Sequence, residues 1–132
     1  MRIGELGRRA GLPTKTIRFY EQAGVLPAPE RTPAGYRDYH ETAIGRLRFI
    51  RSAQAGGLSL AEIRDVIVVR EKTGPPCAHV SGLLDTHAAE LDQRIRELTA
   101  LRTEIRRLQA RAATLDPARC ENDDVCHILT RR

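Results

Sequence analysis

Ile3-Gly4-Glu5-Leu6-Gly7-Arg8-Arg9-Ala10-Gly11-Leu12-Pro13-Thr14-Lys15-Thr16-Ile17-Arg18-Phe19-Tyr20-Glu21-Gln22 is the stretch that decides the fold. Ile3, Leu6 and Ala10 fall at helical spacing and predict a short helix, which Gly11-Leu12-Pro13 breaks. Thr14 is the expected N-cap of a second helix over residues 15–22, ending at Gly24. Ile17 and Tyr20 lie three apart and Glu21 is four from Ile17, so one face packs while Lys15, Arg18 and Phe19 look elsewhere. Two short helices joined by a tight Gly-containing turn make a helix-turn-helix. The second helix of that motif enters the major groove and its early residues reach bases or phosphates, which makes Lys15 and Thr16 candidates for DNA contact.

The chain around this stretch reads as all-α. Its 132 residues suffice for one domain and an appendage. Aromatic residues are 4% with no Trp, and Ala, Leu, Arg and Glu dominate, which favours helices over a β-sandwich. Pro33-Ala34-Gly35 can turn a small wing, with Arg31 and Arg37 on its arms and Tyr36 beside them; guanidinium groups and a Tyr hydroxyl there can lie on phosphates. A third helix is expected over residues 41–55, with Ile44, Leu47 and Ile50 inward. A fourth follows over 60–71, opened by a capping box of Ser59 and Glu62. Thr73-Gly74-Pro75-Pro76 is the expected boundary, giving a DNA-binding domain over 1–72 and a linker over 73–78.

Residues 79–115 read as one long helical segment, the helix itself ending near residue 114. Leu84, Ala88, Leu91, Ile95, Leu98, Ile105 and Ala112 follow alternating steps of four and three, widened by Leu101 and Leu108 and interrupted by Arg102. A helix so polar elsewhere needs a partner: a second copy of itself, or else its own N-terminal domain. Asp116-Pro117 ends it, and residues 116–132 form a Cys-bearing loop and closing turn.

The charge distribution separates these parts. The net charge is +5; residues 1–72 carry 13 Lys+Arg against 8 Asp+Glu, and residues 73–132 carry 9 against 9. The excess of the first part suits an anionic partner, of which nucleic acid is the commonest. No apolar run approaches the roughly 18–20 residues of a membrane span, and the first residues lack a signal-peptide core, so the cytoplasm is expected.

These elements together resemble the MerR family of bacterial transcription regulators. Ile3-Gly4-Glu5-Leu6, Thr16-Ile17-Arg18-Phe19-Tyr20-Glu21, Gly24-Val25-Leu26, Gly35-Tyr36-Arg37-Asp38-Tyr39, Leu47-Arg48-Phe49-Ile50 and Gly57-Leu58-Ser59-Leu60-Ala61-Glu62-Ile63 carry the likeness in order. The resemblance implies a winged helix-turn-helix, an antiparallel coiled-coil dimerisation helix and a C-terminal effector site. It also implies that Arg18, Tyr20, Tyr36 and Arg37 contact the DNA backbone. By the same resemblance, a homodimer binds a promoter palindrome in double-stranded DNA, represses without effector, and on binding it distorts the DNA so that RNA polymerase can use the promoter.

Three cysteines are an odd number and no disulfide framework. Cys77 precedes the long helix, while Cys120 and Cys126 follow it. A helix of some 34 residues is about 50 Å long, so a straight one keeps Cys77 from Cys120 within one chain. In the antiparallel dimer that the resemblance implies, Cys77 of one copy meets Cys120 and Cys126 of the other. Thiolates suit soft or borderline divalent ions, with zinc the first expectation and cadmium, lead or mercury the others. Zinc prefers a fourth ligand, for which His79 and His127 are candidates, with Asp123 and Asp124 also within the loop. The resemblance places Cys at position 77 with divalent-ion sensors, although the five residues between Cys120 and Cys126 depart from the commoner family spacing. The competing reading is a regulator that senses an oxidant or electrophile through Cys120, beside Arg119. No nucleophile motif or phosphate loop marks an enzyme.

Overall fold

The computed structural model describes residues 1–130. It is mainly helical, as the sequence predicts. The elements in order are α1 (Ile3–Ala10), α2 (Thr14–Gln22), β1 (Glu30–Arg31), β2 (Arg37–Asp38), α3 (Thr42–Ala55), α4 (Leu60–Thr73) and α5 (Cys77–Thr114). Short 3-10 turns follow at Pro117–Arg119 and Asn122–Asp124. No helix among the described residues is long and apolar enough to cross a membrane. Two compact units divide the chain, residues 1–87 and residues 88–132.

The first unit is built on α1 to α4. Leu6, Ile17, Leu47, Ile50 and Ile63 are fully buried and come from all four helices, so each helix is held by a few apolar side chains on one face. Each such side chain contributes roughly 1.5–3 kcal/mol of transfer free energy. The turn between α1 and α2 is tight because Gly7 lies against backbone. A Cβ at position 7 would sit 2.7 Å from the Leu12 carbonyl oxygen, closer than real Cβ atoms come. Gly11 then ends α1 in the left-handed conformation.

Four boundaries differ from the sequence expectation, one being that of α3, which opens at Thr42 rather than at 41. Thr14 does not cap α2 but is its first residue. Pro13 takes the cap position with φ −62° and ψ 146°, and its carbonyl accepts the first helical N–H groups. Proline's fixed φ supplies the entry without a side-chain cap. At the other break, α4 runs on to Thr73, whose hydroxyl donates to the Val69 carbonyl. α5 begins at Cys77, two residues earlier than expected, because the Pro76 carbonyl accepts the Val80 N–H and serves as its entry.

The capping box at α4 forms as read. Ser59 Oγ accepts the Glu62 N–H at 3.1 Å, and Glu62 Oε1 accepts the Ser59 N–H at 2.9 Å. His87, on the third turn of α5, brings Nε2 to 2.8 Å from the same Glu62 carboxylate. These contacts hold the Glu62 carboxyl below the usual carboxylate range, the Ser59 N–H first and His87 second. Val80 and Leu83 pack against the core of the first unit.

From residue 88 onward α5 has no buried residue, and Leu91, Ile95, Leu98, Leu101 and Ile105 are all exposed on it. Side chains at this spacing form one apolar stripe along the helix.

Candidate nucleic-acid interface and thiol loop

The wing is a two-stranded antiparallel ribbon in which Arg31 pairs directly with Arg37. Its turn closes through Gly35, at φ +86°, whose N–H donates to the Thr32 carbonyl at 2.8 Å. Like charges facing each other across a strand pair are unfavourable unless neighbours or a ligand compensate. Arg31 turns Nη1 to the Gly35 carbonyl at 2.9 Å, and Arg37 Nε lies 3.5 Å from Glu21 Oε2. The guanidinium of Arg2 stacks over the Tyr36 ring, 4.2 Å from its centroid.

Glu21 ties this wing to α2. It sits on the packing face four residues after Ile17 and is 12% exposed in its side chain. The buried Tyr39 hydroxyl donates to Glu21 Oε1. Burial first, and then the Glu21 carboxylate, push the Tyr39 hydroxyl well above its ordinary ionisation range.

The residues picked out for DNA contact fall into two groups. Lys15, Arg18, Arg31 and Tyr36 are exposed, and Thr16 and Arg37 are half-buried. Tyr20 is different: it is 5% exposed, and its hydroxyl donates to Gln54 Oε1 at 2.7 Å. It is a core residue of the first unit, with its one polar atom already matched to α3. Phe19 beside it is 52% exposed. Glu21 and Arg2 were absent from the sequence-derived set. An acid on the apolar face of α2 was the signal for Glu21; nothing local marked Arg2.

The thiols are free. Cys77 is the exposed first residue of α5, at the positive end of the helix dipole, with the exposed His79 two residues on. Cys120 and Cys126 are half-buried in the second unit. Cys120 Sγ lies 3.8 Å from the Val125 carbonyl oxygen and accepts the His127 N–H at 3.3 Å. Between the two thiols, Val125 is held at φ 56° and ψ −56°, where few β-branched residues are found. The Cys126 N–H spans it to the Asp124 carbonyl in a γ-turn.

Among the described residues, no group of three His, Cys, Asp or Glu side chains stands ready to hold a metal ion within one chain. The donor chemistry nevertheless fits a soft ion: two thiols share one short loop, and the sulfur of Cys120 already serves as a hydrogen-bond acceptor, as a ligating sulfur does.

Comparison with known proteins bears on both regions. The family model described as MerR HTH family regulatory protein matches residues 1–68, and the one described as MerR, DNA binding matches residues 44–108. The HTH-type transcriptional regulator HmrR of Rhizobium leguminosarum bv. viciae is 42% identical over 108 residues, covering 82% of this chain and 83% of that protein. The mercuric resistance operon regulatory protein of Bacillus cereus is 33% identical over 130 residues, covering 97% and 93%. Among solved structures, the transcription regulator PbrR691 from Ralstonia metallidurans CH34 in complex with lead(II) is similar with a TM-score of 0.77. It is 38% identical, covering 91% of this chain and 94% of that one. The ordered motifs, the helix-turn-helix and these matches agree: the chain belongs to the MerR family of transcriptional regulators and is not an enzyme.

Proposed function

We propose that this regulator senses a soft or borderline divalent metal ion and answers it at a promoter of metal-resistance or efflux genes, working in the cytoplasm. The observation that carries this reading is the loop that holds Cys120 and Cys126 half-buried, with a backbone N–H aimed at the Cys120 sulfur. Relatives named for mercuric resistance and for a bound lead ion support the same chemistry.

In this reading residues 1–72 bind one half-site of a DNA palindrome. Lys15 and Thr16 on α2 face the groove, while Arg18 on α2 and Arg31, Tyr36 and Arg37 on the wing lie on phosphates. Arg31 and Arg37, paired across the wing, set two guanidinium groups side by side and favour an anion there, and Glu21 keeps Arg37 in place. Residues 79–115 form the homodimer through the exposed stripe of α5, in the antiparallel sense. Cys77, the first residue of α5, then joins Cys120 and Cys126 of the second copy in residues 116–132. His79 and His127 stand near enough in sequence to complete a zinc set; cadmium, lead or mercury would do with the thiols alone. A bound ion would supply positive charge, and Cys77, Cys120 and Cys126 would be the thiolates to hold it. The loop so ordered biases the DNA-binding units toward a geometry that distorts the promoter for RNA polymerase, and the dimer without metal represses.

The test is stoichiometric zinc retention by the reduced protein, lost in Cys120→Ser, together with a promoter footprint that changes on metal addition. A footprint identical with and without metal, or retention unchanged in Cys120→Ser, would sink the reading. Oxidation of Cys120 that alters the footprint without metal would instead favour the electrophile-sensing alternative.

A further inference from the structure

Arg111 lies one turn before the end of α5 and reaches beyond its own helix. Its Nε and Nη2 donate to the His127 carbonyl at 3.0 and 2.7 Å, and Nη2 also donates to the Thr130 carbonyl at 3.3 Å. Both residues it holds are tied to the thiol-bearing positions. The N–H of His127 is the donor on Cys120 Sγ. Thr130 donates its hydroxyl to the Asp124 carbonyl at 2.8 Å and the Cys126 carbonyl at 3.1 Å, and its N–H to the Cys126 carbonyl at 3.1 Å. One guanidinium therefore fixes, through two intermediaries, the backbone that presents both Cys120 and Cys126.

We propose that Arg111 is a positioning residue for the thiol loop: its forked hydrogen bonds set the separation and aim of Cys120 and Cys126, and so the affinity for a metal ion. This rests on the metal reading above. The planar fork matters because two N–H groups converge on one carbonyl while one also serves a second; an ammonium is a point charge without that fixed geometry. Groups that orient ligands from outside the coordination sphere typically change affinity by about 10–100-fold when removed. The carbonyls of His127 and Thr130 are half-buried, so losing Arg111 also leaves acceptors unpaired and frees the segment to move.

The experiment uses the full chain in reduced form, unaltered and as Arg111→Met, Arg111→Lys and Cys120→Ser. Zinc affinity is read by competition with a chromophoric chelator, the cobalt(II) complex by its sulfur-to-metal absorption, and the metal-free protein by amide exchange at His127. The expected result for Arg111→Met is zinc binding weaker by about tenfold or more, an altered cobalt spectrum at saturation, and exchange at His127 about tenfold faster or more. Arg111→Lys falls between, and its helical circular dichroism reports that the chain is folded if the Met variant is not. Zinc affinity within about twofold of the unaltered protein, an unchanged cobalt spectrum, or unchanged exchange at His127 overturns the role of Arg111. Unchanged zinc affinity in Cys120→Ser overturns the metal reading instead, a separate outcome from the exchange result.

Discussion

Removing the Glu21 carboxylate should loosen the wing from α2. Glu21→Ala leaves the Tyr39 hydroxyl, on a side chain 3% exposed, without its acceptor, and deprives Arg37 of its pair. An orphaned buried hydroxyl costs about 1–3 kcal/mol, and the partly exposed Arg37 pair adds at most about 1 kcal/mol. We expect a loss of about 2–3 kcal/mol in urea denaturation at neutral pH and fixed protein concentration. Tyr39→Phe removes the donor and should cost about 1 kcal/mol, so the double variant should show a coupling of about 1.5 kcal/mol. Alkali provides a second arm. Because the Tyr39 ionisation lies above its ordinary value near 10, its contribution is complete below that pH and is lost as pH rises toward the folded value. Tyr39→Phe should remove that alkaline loss. Effects of the two substitutions that add to within about 0.5 kcal/mol would refute the clamp.

Acid should act through Glu62. Its folded carboxyl lies below the ordinary value of 4.5, so its contribution is present above that pH and is lost as pH falls through the folded value; Glu62→Gln should flatten the acid limb of a stability–pH curve. Leu98→Asp places a charge in the exposed stripe of α5 and should shift sedimentation toward the monomer and lower helicity; an unchanged mass would argue against a self-pairing helix. Gly7→Ala forces a Cβ onto the Leu12 carbonyl and should cost about 1–3 kcal/mol in thermal or urea unfolding, with α2 contacts affected most.

Local signals carried much of this fold. The apolar positions of α1 to α4 repeat at helical spacing, and Ser59 with Glu62 announced the start of α4, because those interactions lie within one turn of the residues that make them. The wing was readable from Pro33-Ala34-Gly35, since only glycine meets the φ of +86° without strain. What escaped were pairings between elements distant in sequence. Tyr20 bonds Gln54, and Glu21 reaches Tyr39 and Arg37; neither partner can be chosen before the helices are packed. The family likeness implied a DNA-backbone contact for Tyr20; that its ring packs in the core and its hydroxyl bonds Gln54 was not legible. At the thiol loop the donor types were plain from Cys120 and Cys126. Arg111 was not, because an arginine on a charged helix looks like many others until a loop folds back to it.

The close pass of Gly7 under the Leu12 carbonyl has a bearing on reprogramming this protein. Anyone redirecting it to a new operator would randomise the outward positions of α2, and those should accept wide chemical variety. Position 7 should return glycine alone from such a library, because a Cβ there meets the Leu12 carbonyl. The angle between α1 and α2 is thus encoded by a missing methyl group, an instruction that a search among polar surface residues would pass over.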